Sequence, residues 1–260
     1  MKKNFKELFE LNEKVAIVTG ARRGMGRTHC LALSDAGARV VVSDINKEEC
    51  DGVVEEIRER GGEAFSVECD VTKKEEVEEL VKKTKEKYDG LDILVNNAGL
   101  IDFKNFFDLE EEDWNRILNV NLKGCFFCCQ AAAELMKENG GGSIINIGSI
   151  AMGQAGVGFP NTVPYVSSKG GVAGLTEALA LDLGNYNIRV NLIAPGVIET
   201  SVVDLTEENK DAEALLIGKL PLKRKGKPEE ISSAVLFLAS DASSYMTGSV
   251  INIDGGWLTT

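Results

Sequence analysis

Residues 14–26 read KVAIVTGARRGMG: an apolar run from Lys14 to Thr19, then Gly20, Ala21, Arg22, Arg23, Gly24, Met25 and Gly26. The short β-branched run predicts a strand, and the apolar helical pattern of Thr28–Ala36 behind it predicts a helix. Glycines between the two let the chain turn tightly and let backbone N–H groups at a helix N-terminus approach a pyrophosphate. The spacing is G-x-x-x-G-x-G, not the common G-x-G-x-x-G dinucleotide fingerprint. A glycine-rich strand-to-helix turn can also be purely structural, so this stretch needs support from the rest of the chain.

Support comes from the pattern that continues outward. Further strand-like runs are Arg39–Asp44, Ala64–Cys69, Asp92–Asn96, Ser143–Ile147, Arg189–Ala194 and Val250–Ile253, with amphipathic stretches such as Lys47–Arg60 and Lys73–Tyr88 between the early ones. Continuous Val/Ile runs predict strands buried on both faces, and strand–helix alternation predicts a parallel sheet with right-handed crossovers. The expected fold is a doubly wound, Rossmann-type α/β sheet of about seven strands with helices on both faces. Residues 1–260 show no linker, repeat or low-complexity tract and are read as one domain.

Composition narrows the function. A formal net charge of −12 argues against a nucleic-acid binder, which would carry a basic stripe. No apolar run approaches the roughly 20 residues that span a bilayer, and the N-terminus has no apolar signal core, so a cytoplasmic protein without a membrane role is expected. The six cysteines show no metal-ligand spacing: Cys30, Cys50 and Cys69 are scattered, and Cys125, Cys128 and Cys129 lie in an apolar helical pattern. They are read as buried thiols, and no metal site is expected. The single histidine, His29, is read as packing or exposed, so proton transfer must use other groups.

Two features point to chemistry at the strand ends. Asp44, closing Val42-Ser43-Asp44, would accept hydrogen bonds from adenosine ribose hydroxyls and repel a 2′-phosphate, favouring NAD over NADP. The structural alternative is a loop aspartate capping the helix from Asn46. Arg22 and Arg23 pull the other way, since either can reach a 2′-phosphate or steady the pyrophosphate. Asp70, before Val71, is placed to contact the adenine amino group, and Asn96-Asn97-Ala98-Gly99 closes the fourth strand. Then Tyr165 and Lys169 stand four apart, one face of a helix, with Ser149 upstream. A free tyrosine titrates near pH 10, and a neighbouring ammonium is expected to draw that value down toward the working range.

Thr19–Gly26, Asn96-Asn97-Ala98-Gly99, Ser149, Tyr165-x-x-x-Lys169 and Pro195-Gly196 together resemble the single-domain branch of the short-chain dehydrogenase/reductase family, over essentially the whole chain. The resemblance implies Tyr165 as general acid/base and Ser149 as hydrogen-bond donor to the substrate oxygen. Lys169 would contact the nicotinamide ribose, and Asn121, rather than nearby Asn119, would hold a water in the proton relay. It implies a cofactor site built from Gly20, Arg22, Arg23, Gly24, Met25, Gly26, Asp44, Asp70, Val71, Asn97, Ala98, Gly99, Tyr165, Lys169, Pro195, Gly196, Ile198 and Thr200, with Thr200 on the nicotinamide carboxamide. The expected cofactor is NAD, with NADP the alternative. The expected substrate is a modest apolar, cyclic or acyclic, secondary alcohol or ketone, and the runner-up activity is NADPH-dependent 3-oxoacyl-(acyl-carrier-protein) reduction. A non-catalytic nucleotide sensor is a third reading that the intact Tyr–Lys pair disfavours.

Two features depart from the family pattern or mix its branches: the segment Ala151–Pro164, and Arg23 before Gly24, which looks like NADP-preferring members while Asp44 looks like NAD-preferring ones. Ala151–Pro164 is longer than usual and would line the substrate pocket, and Ser201–Leu220 would form the substrate loop, with Leu215-Leu216-Ile217 facing a pocket and Glu207–Asp211 facing solvent. Trp114, Phe103, Phe106 and Phe107 are read as core and pocket rim. Apolar character in Leu122–Met136, with the C-terminal Thr247-Gly248 and Asp254–Trp257, implies a homotetramer by resemblance.

Overall fold

Val15–Thr19 (β1) is buried along its whole length, as a strand covered by helices on both faces must be. The computed structural model describes residues 4–152, 160–200, 217–218 and 220–259. From β1 the chain alternates through α1 (Gly24–Asp35), β2 (Arg39–Asp44), α2 (Lys47–Glu59), β3 (Ala64–Glu68), α3 (Lys74–Tyr88) and β4 (Ile93–Asn96). It continues through α4 (Glu111–Leu118), a π-helical segment (Asn119–Gly124), α5 (Cys125–Glu138), β5 (Gly142–Ile147), α6 (Val163–Leu183), β6 (Ile188–Pro195), α7 (Pro228–Ala239) and β7 (Val250–Ile253).

Local chemistry sets many of these boundaries. Asn46 caps α2 by accepting from the Glu49 amide, so Asp44 is not the capping residue. Asp89 ends α3 in the left-handed region at φ 61°. Pro164 sits in the first turn of α6, where its missing N–H costs nothing. The first helix begins at Gly24, inside the glycine stretch and four residues before the apolar pattern suggested. The third strand stops at Glu68, so Cys69 lies in the turn that follows.

The seven strands are all parallel, in the order β3-β2-β1-β4-β5-β6-β7. Chain progression reverses between β1 and β4, where Val18 pairs with Val95. Loops leaving these two strands diverge to opposite faces, which opens a crevice at the carboxyl edge. Alternate side chains feed two cores. On one face Val15, Ile17, Leu94 and Ile144 pack with Leu80 of α3, Met136 of α5 and Val172 of α6. On the other, Val18, Val42, Val95 and Ile193 pack with Leu33 of α1, Ile57 of α2 and Val235 of α7.

A buried polar tie crosses the sheet beneath the crevice. Asn96 Nδ2 donates to Asn146 Oδ1 at 2.9 Å, and Asn146 Nδ2 donates to Thr176 Oγ1 at 2.9 Å, linking β4, β5 and α6. All six cysteines are free and buried, and among the described residues no cluster of His, Cys, Asp and Glu is arranged for a metal ion. Among the same residues no helix is long and apolar enough to cross a membrane. His29 is fully buried in α1 with Nδ1 2.8 Å from Ser232 Oγ of α7, so its role is packing at a helix seam. Phe103, Phe106, Phe107 and Trp114 are exposed, Phe107 at 91%, which corrects their reading as core: the three phenylalanines lie in the connection that follows β4, and Trp114 lies on α4.

Candidate active site

The glycine stretch owes its sequence to contact geometry at two positions. Gly20 has φ +64°, and a Cβ there would lie 2.7 Å from the Ala98 Cα. A Cβ on Gly26 would overlap the Gly20 carbonyl and come within 2.7 Å of Asn97 Nδ2. Asn97 reaches across from β4 and fixes this turn, donating from Nδ2 to the carbonyls of Thr19 (3.1 Å) and Gly20 (2.9 Å). Thr19 Oγ1 returns the tie by accepting from the Asn97 and Ala98 amides, both at 3.2 Å. With the turn so braced, the first amides of α1 point into the crevice without intrahelical acceptors.

The crevice has a volume of about 420 Å³. It gathers Gly20, Arg22, Arg23, Gly24, Met25, Gly26, Asp44, Asp70, Val71, Asn97, Ala98, Gly99, Tyr165, Lys169 and Thr200 from the sequence-derived set. The side-chain-free glycine cradle at a helix N-terminus and the carboxylate at the end of β2 fit a dinucleotide's pyrophosphate and adenosine ribose. Asp44 is held in place by the Ile45 amide at 2.8 Å and by Arg22 Nε at 3.3 Å. Asp70 forms a local turn, its Oδ1 accepting from the Thr72 amide and hydroxyl. Pro195 ends β6 and is fully inside the sheet; Gly196 presses against Asp254, and Ile198 bridges to Gly226, so these three lie beside the crevice rather than along its lining.

At the opposite end sit the groups that can move a proton. Helix α6 carries Tyr165 and Lys169 one turn apart, the ammonium 5.9 Å from the phenol ring centroid. Lys169 is buried and donates to the Ile147 carbonyl at 2.7 Å, which anchors it to the end of β5. Ser149 accepts from the Ala151 amide at 3.0 Å and hydrogen-bonds the Tyr165 phenol. A hydroxyl has one proton to give, so pinning its lone pair from Ala151 aims that proton at the phenol oxygen.

Burial lowers the Lys169 pKa to about 8, because an ammonium is disfavoured away from water. The same burial raises the Tyr165 phenol above its ordinary value, opposed by the Ser149 hydrogen bond. The expectation that Lys169 would draw the phenol down is therefore corrected for the protein alone: desolvation raises it, and the opposing influence comes from Ser149.

Asn121 lies within the π-helical segment, whose extra residue per turn swings its side chain inward. Its Nδ2 donates to the Leu100 carbonyl (2.8 Å) and Ser168 Oγ (3.0 Å), and its Oδ1 accepts from the Leu100 amide (2.7 Å). A Cβ on Gly99 would stand 3.5 Å from Asn121 Oδ1 and 3.6 Å from Lys169 Nζ, so both polar atoms converge over Gly99. Sequence reasoning missed Ser168, which donates to the Tyr165 carbonyl at 2.7 Å and locks α6 to Asn121. Its position beside Lys169 was the available signal. It also missed the Ile147 carbonyl, for which no sequence signal exists because every residue carries one. The substrate-loop reading for 201–220, except 217, 218 and 220, and residues 153–159 of the longer segment lie outside the described residues.

The chain matches the family profile described as "Enoyl-(Acyl carrier protein) reductase" over residues 20–258. It is 42% identical over 247 residues to a 3-oxoacyl-[acyl-carrier-protein] reductase of Thermotoga maritima, covering 95% of this chain and 98% of that one. A cyclopentanol dehydrogenase of Comamonas sp. is 40% identical over 247 residues, again covering 95% and 98%. The crystal structure of a putative short-chain alcohol dehydrogenase from Sinorhizobium meliloti superposes with a TM-score of 0.93 at 40% identity, covering 97% of this chain and 99% of that one. With the glycine-lined turn, the Ser–Tyr–Lys end of the crevice and these relatives in agreement, the chain belongs to the short-chain dehydrogenase/reductase family of NAD(P)-dependent oxidoreductases acting on CH–OH groups.

Proposed function

We propose that the protein is an NAD(H)-dependent dehydrogenase that interconverts a small secondary alcohol and its ketone. When bound, the reduced nicotinamide supplies a hydride to the carbonyl carbon. Tyr165 gives its phenolic proton to the carbonyl oxygen as the C–H bond forms, and the raised phenol pKa keeps that proton available at neutral pH. Ser149 turns its O–H from the phenol to the substrate oxygen, polarising the carbonyl and holding it in line. Lys169, anchored on Ile147, presents a positive charge to the phenolate that remains. Asn121 and Lys169 converge over Gly99, a place for the water that returns a proton to Tyr165. Oxidation of the alcohol runs through the same groups in reverse.

The observation that carries the NAD reading is the Asp44 carboxylate at the crevice, where a 2′-phosphate would meet its negative charge. The cyclopentanol dehydrogenase relative favours a cyclic or otherwise compact secondary alcohol. The second reading, NADPH-dependent 3-oxoacyl-(acyl-carrier-protein) reduction, has the Thermotoga relative and the exposed Arg23 on the crevice in its favour. Dissociation constants for NADH and NADPH by cofactor fluorescence test the choice. Tighter NADH binding supports the first reading, and tighter NADPH binding moves the assignment to the second. Activity that survives intact in a Tyr165→Phe variant would sink both.

Six buried free thiols support a reducing compartment, consistent with the cytoplasm. A homotetramer is the assembly we expect, resting on family membership and on an apolar groove lined by Leu118, Leu122, Phe126 and Leu175.

A further inference from the structure

Arg22 does not stand free at the mouth of the adenosine end. Its Nε faces Asp44 Oδ1 at 3.3 Å and its Nη1 faces Glu49 Oε1 at 2.8 Å, so the guanidinium is stretched between two carboxylates from the end of β2 and the first turn of α2. Glu49 is in turn held by the cap of its own helix: Asn46 Nδ2 donates to Glu49 Oε1 at 2.9 Å, and the Glu49 amide donates to Asn46 Oδ1 at 3.1 Å. The contacts therefore run in series, Asn46 to Glu49 to Arg22 to Asp44, and each link orients the next. The Asp44 side chain is 11% exposed, that of Arg22 24% and that of Glu49 42%, so the links run from the crevice outward to solvent.

We propose that Glu49 is a specificity-determining residue for the coenzyme, acting as a positioning residue that keeps Arg22 away from the 2′ position of the adenosine ribose. A guanidinium receives a phosphate through its planar fork of N–H groups. In this arrangement one arm of the fork is turned to Asp44 and another to Glu49. To turn its Nε–Nη fork to a 2′-phosphate, Arg22 must release a carboxylate, and the phosphate must then sit beside the released charge. With Glu49 replaced by Gln, Arg22 keeps at most a neutral hydrogen bond on that side, Asp44 is its one remaining ion-pair partner of the two, and that arm of its fork turns away more easily. Asp44 thus supplies the acceptor for a ribose diol, and Glu49 keeps the adjacent donor from offering an alternative. The inference rests on the NAD reading above and names a second residue behind it.

The test is the ratio of NADPH to NADH dissociation constants in the full-length protein, Glu49→Gln, Arg22→Leu and the double variant. Glutamine keeps the shape and the Asn46 contact while removing the charge. We expect Glu49→Gln to tighten NADPH roughly fivefold, the scale of one partly exposed ion pair, and to leave NADH nearly unchanged. In the Arg22→Leu background the same Glu49→Gln change should no longer move the ratio, because the residue it positions is gone. An unchanged ratio in Glu49→Gln overturns the proposal. So does an equal shift with and without Arg22, which would make Glu49 a direct repulsive charge. Arg23 is constant across the series and cancels. Failure of the NAD reading appears in the wild-type ratio alone, whereas failure of this inference appears in how the ratio changes between variants.

Discussion

Lys169 and Tyr165 are displaced by burial in opposite directions, the ammonium down to about 8 and the phenol up. At neutral pH the free protein therefore holds a protonated phenol beside a charged lysine, the pair required to donate a proton to a ketone. Raising the pH through about 8 discharges Lys169 first and removes the cation that stabilises the phenolate. We expect kcat/KM for ketone reduction, which reports groups of the free enzyme, to fall above about pH 8. Lys169→Met should lower it about 100-fold or more and abolish that limb. Persistence of the limb in Lys169→Met would assign it to another group. The pairing was legible in the sequence as a four-residue spacing, but the sign of the phenol shift was not, because desolvation depends on what the fold packs over Tyr165.

Two elements meet their neighbours in ways that single out particular substitutions. In the first turn of α1, Gly26→Ala forces a Cβ against the Gly20 carbonyl and Asn97 Nδ2, so backbone must shift. Gly24→Ala meets only the Thr200 methyl at 4.0 Å and carries just the cost of φ +55°. We expect Gly26→Ala to cost about 1–3 kcal/mol by denaturant titration and to weaken cofactor binding more than tenfold. Gly24→Ala should cost about 1 kcal/mol. Equal costs for the two would contradict the crowding argument.

At the seam of α1 and α7, burial lowers the His29 pKa to about 3, and its Nε2 has no hydrogen-bond partner among the described residues. The unfolded chain takes up this proton near pH 6.5 and the folded one only near 3, so this stabilisation is complete above 6.5 and is lost as pH falls toward 3. The full effect has a ceiling of about 4–5 kcal/mol. His29→Gln should retain more of its pH 7 stability at pH 4.5 than the wild type does, measured by Tm. A steeper loss in the variant would refute this source of acid sensitivity.

For the whole molecule, the carboxyl edge of one parallel sheet collects the groups of the candidate site, from Asp44 at the end of β2 and Asn97 beyond β4 to Ser149 beyond β5. The chain's formal net charge of −12 offers no general attraction to an acidic carrier protein, in keeping with the small neutral substrate proposed above. The groove around Phe126, itself 40% exposed, is the surface on which the assembly reading is most open to test. We expect light scattering to give a mass several times 28.1 kDa, and Phe126→Asp to reduce it while leaving the fold intact by circular dichroism. A monomeric wild type would remove the homotetramer.

The sequence by itself determined the fold class and the strand positions to within about a residue, and it placed Tyr165 and Lys169 on one helix face, with Ser149 named through the family resemblance. The strands and the helix face follow from local rules: β-branched runs make strands, glycine permits the turn, and i,i+4 spacing shares a helix face. Only the tertiary structure decided that Phe103, Phe106 and Phe107 face solvent, since aromatic character does not say whether another element arrives to cover it. The same holds for Lys169 resting on the Ile147 carbonyl and for Arg22 lying between Asp44 and Glu49. Each is a contact between segments distant in sequence, made through backbone acceptors or surface charges that are anonymous until the sheet sets them side by side.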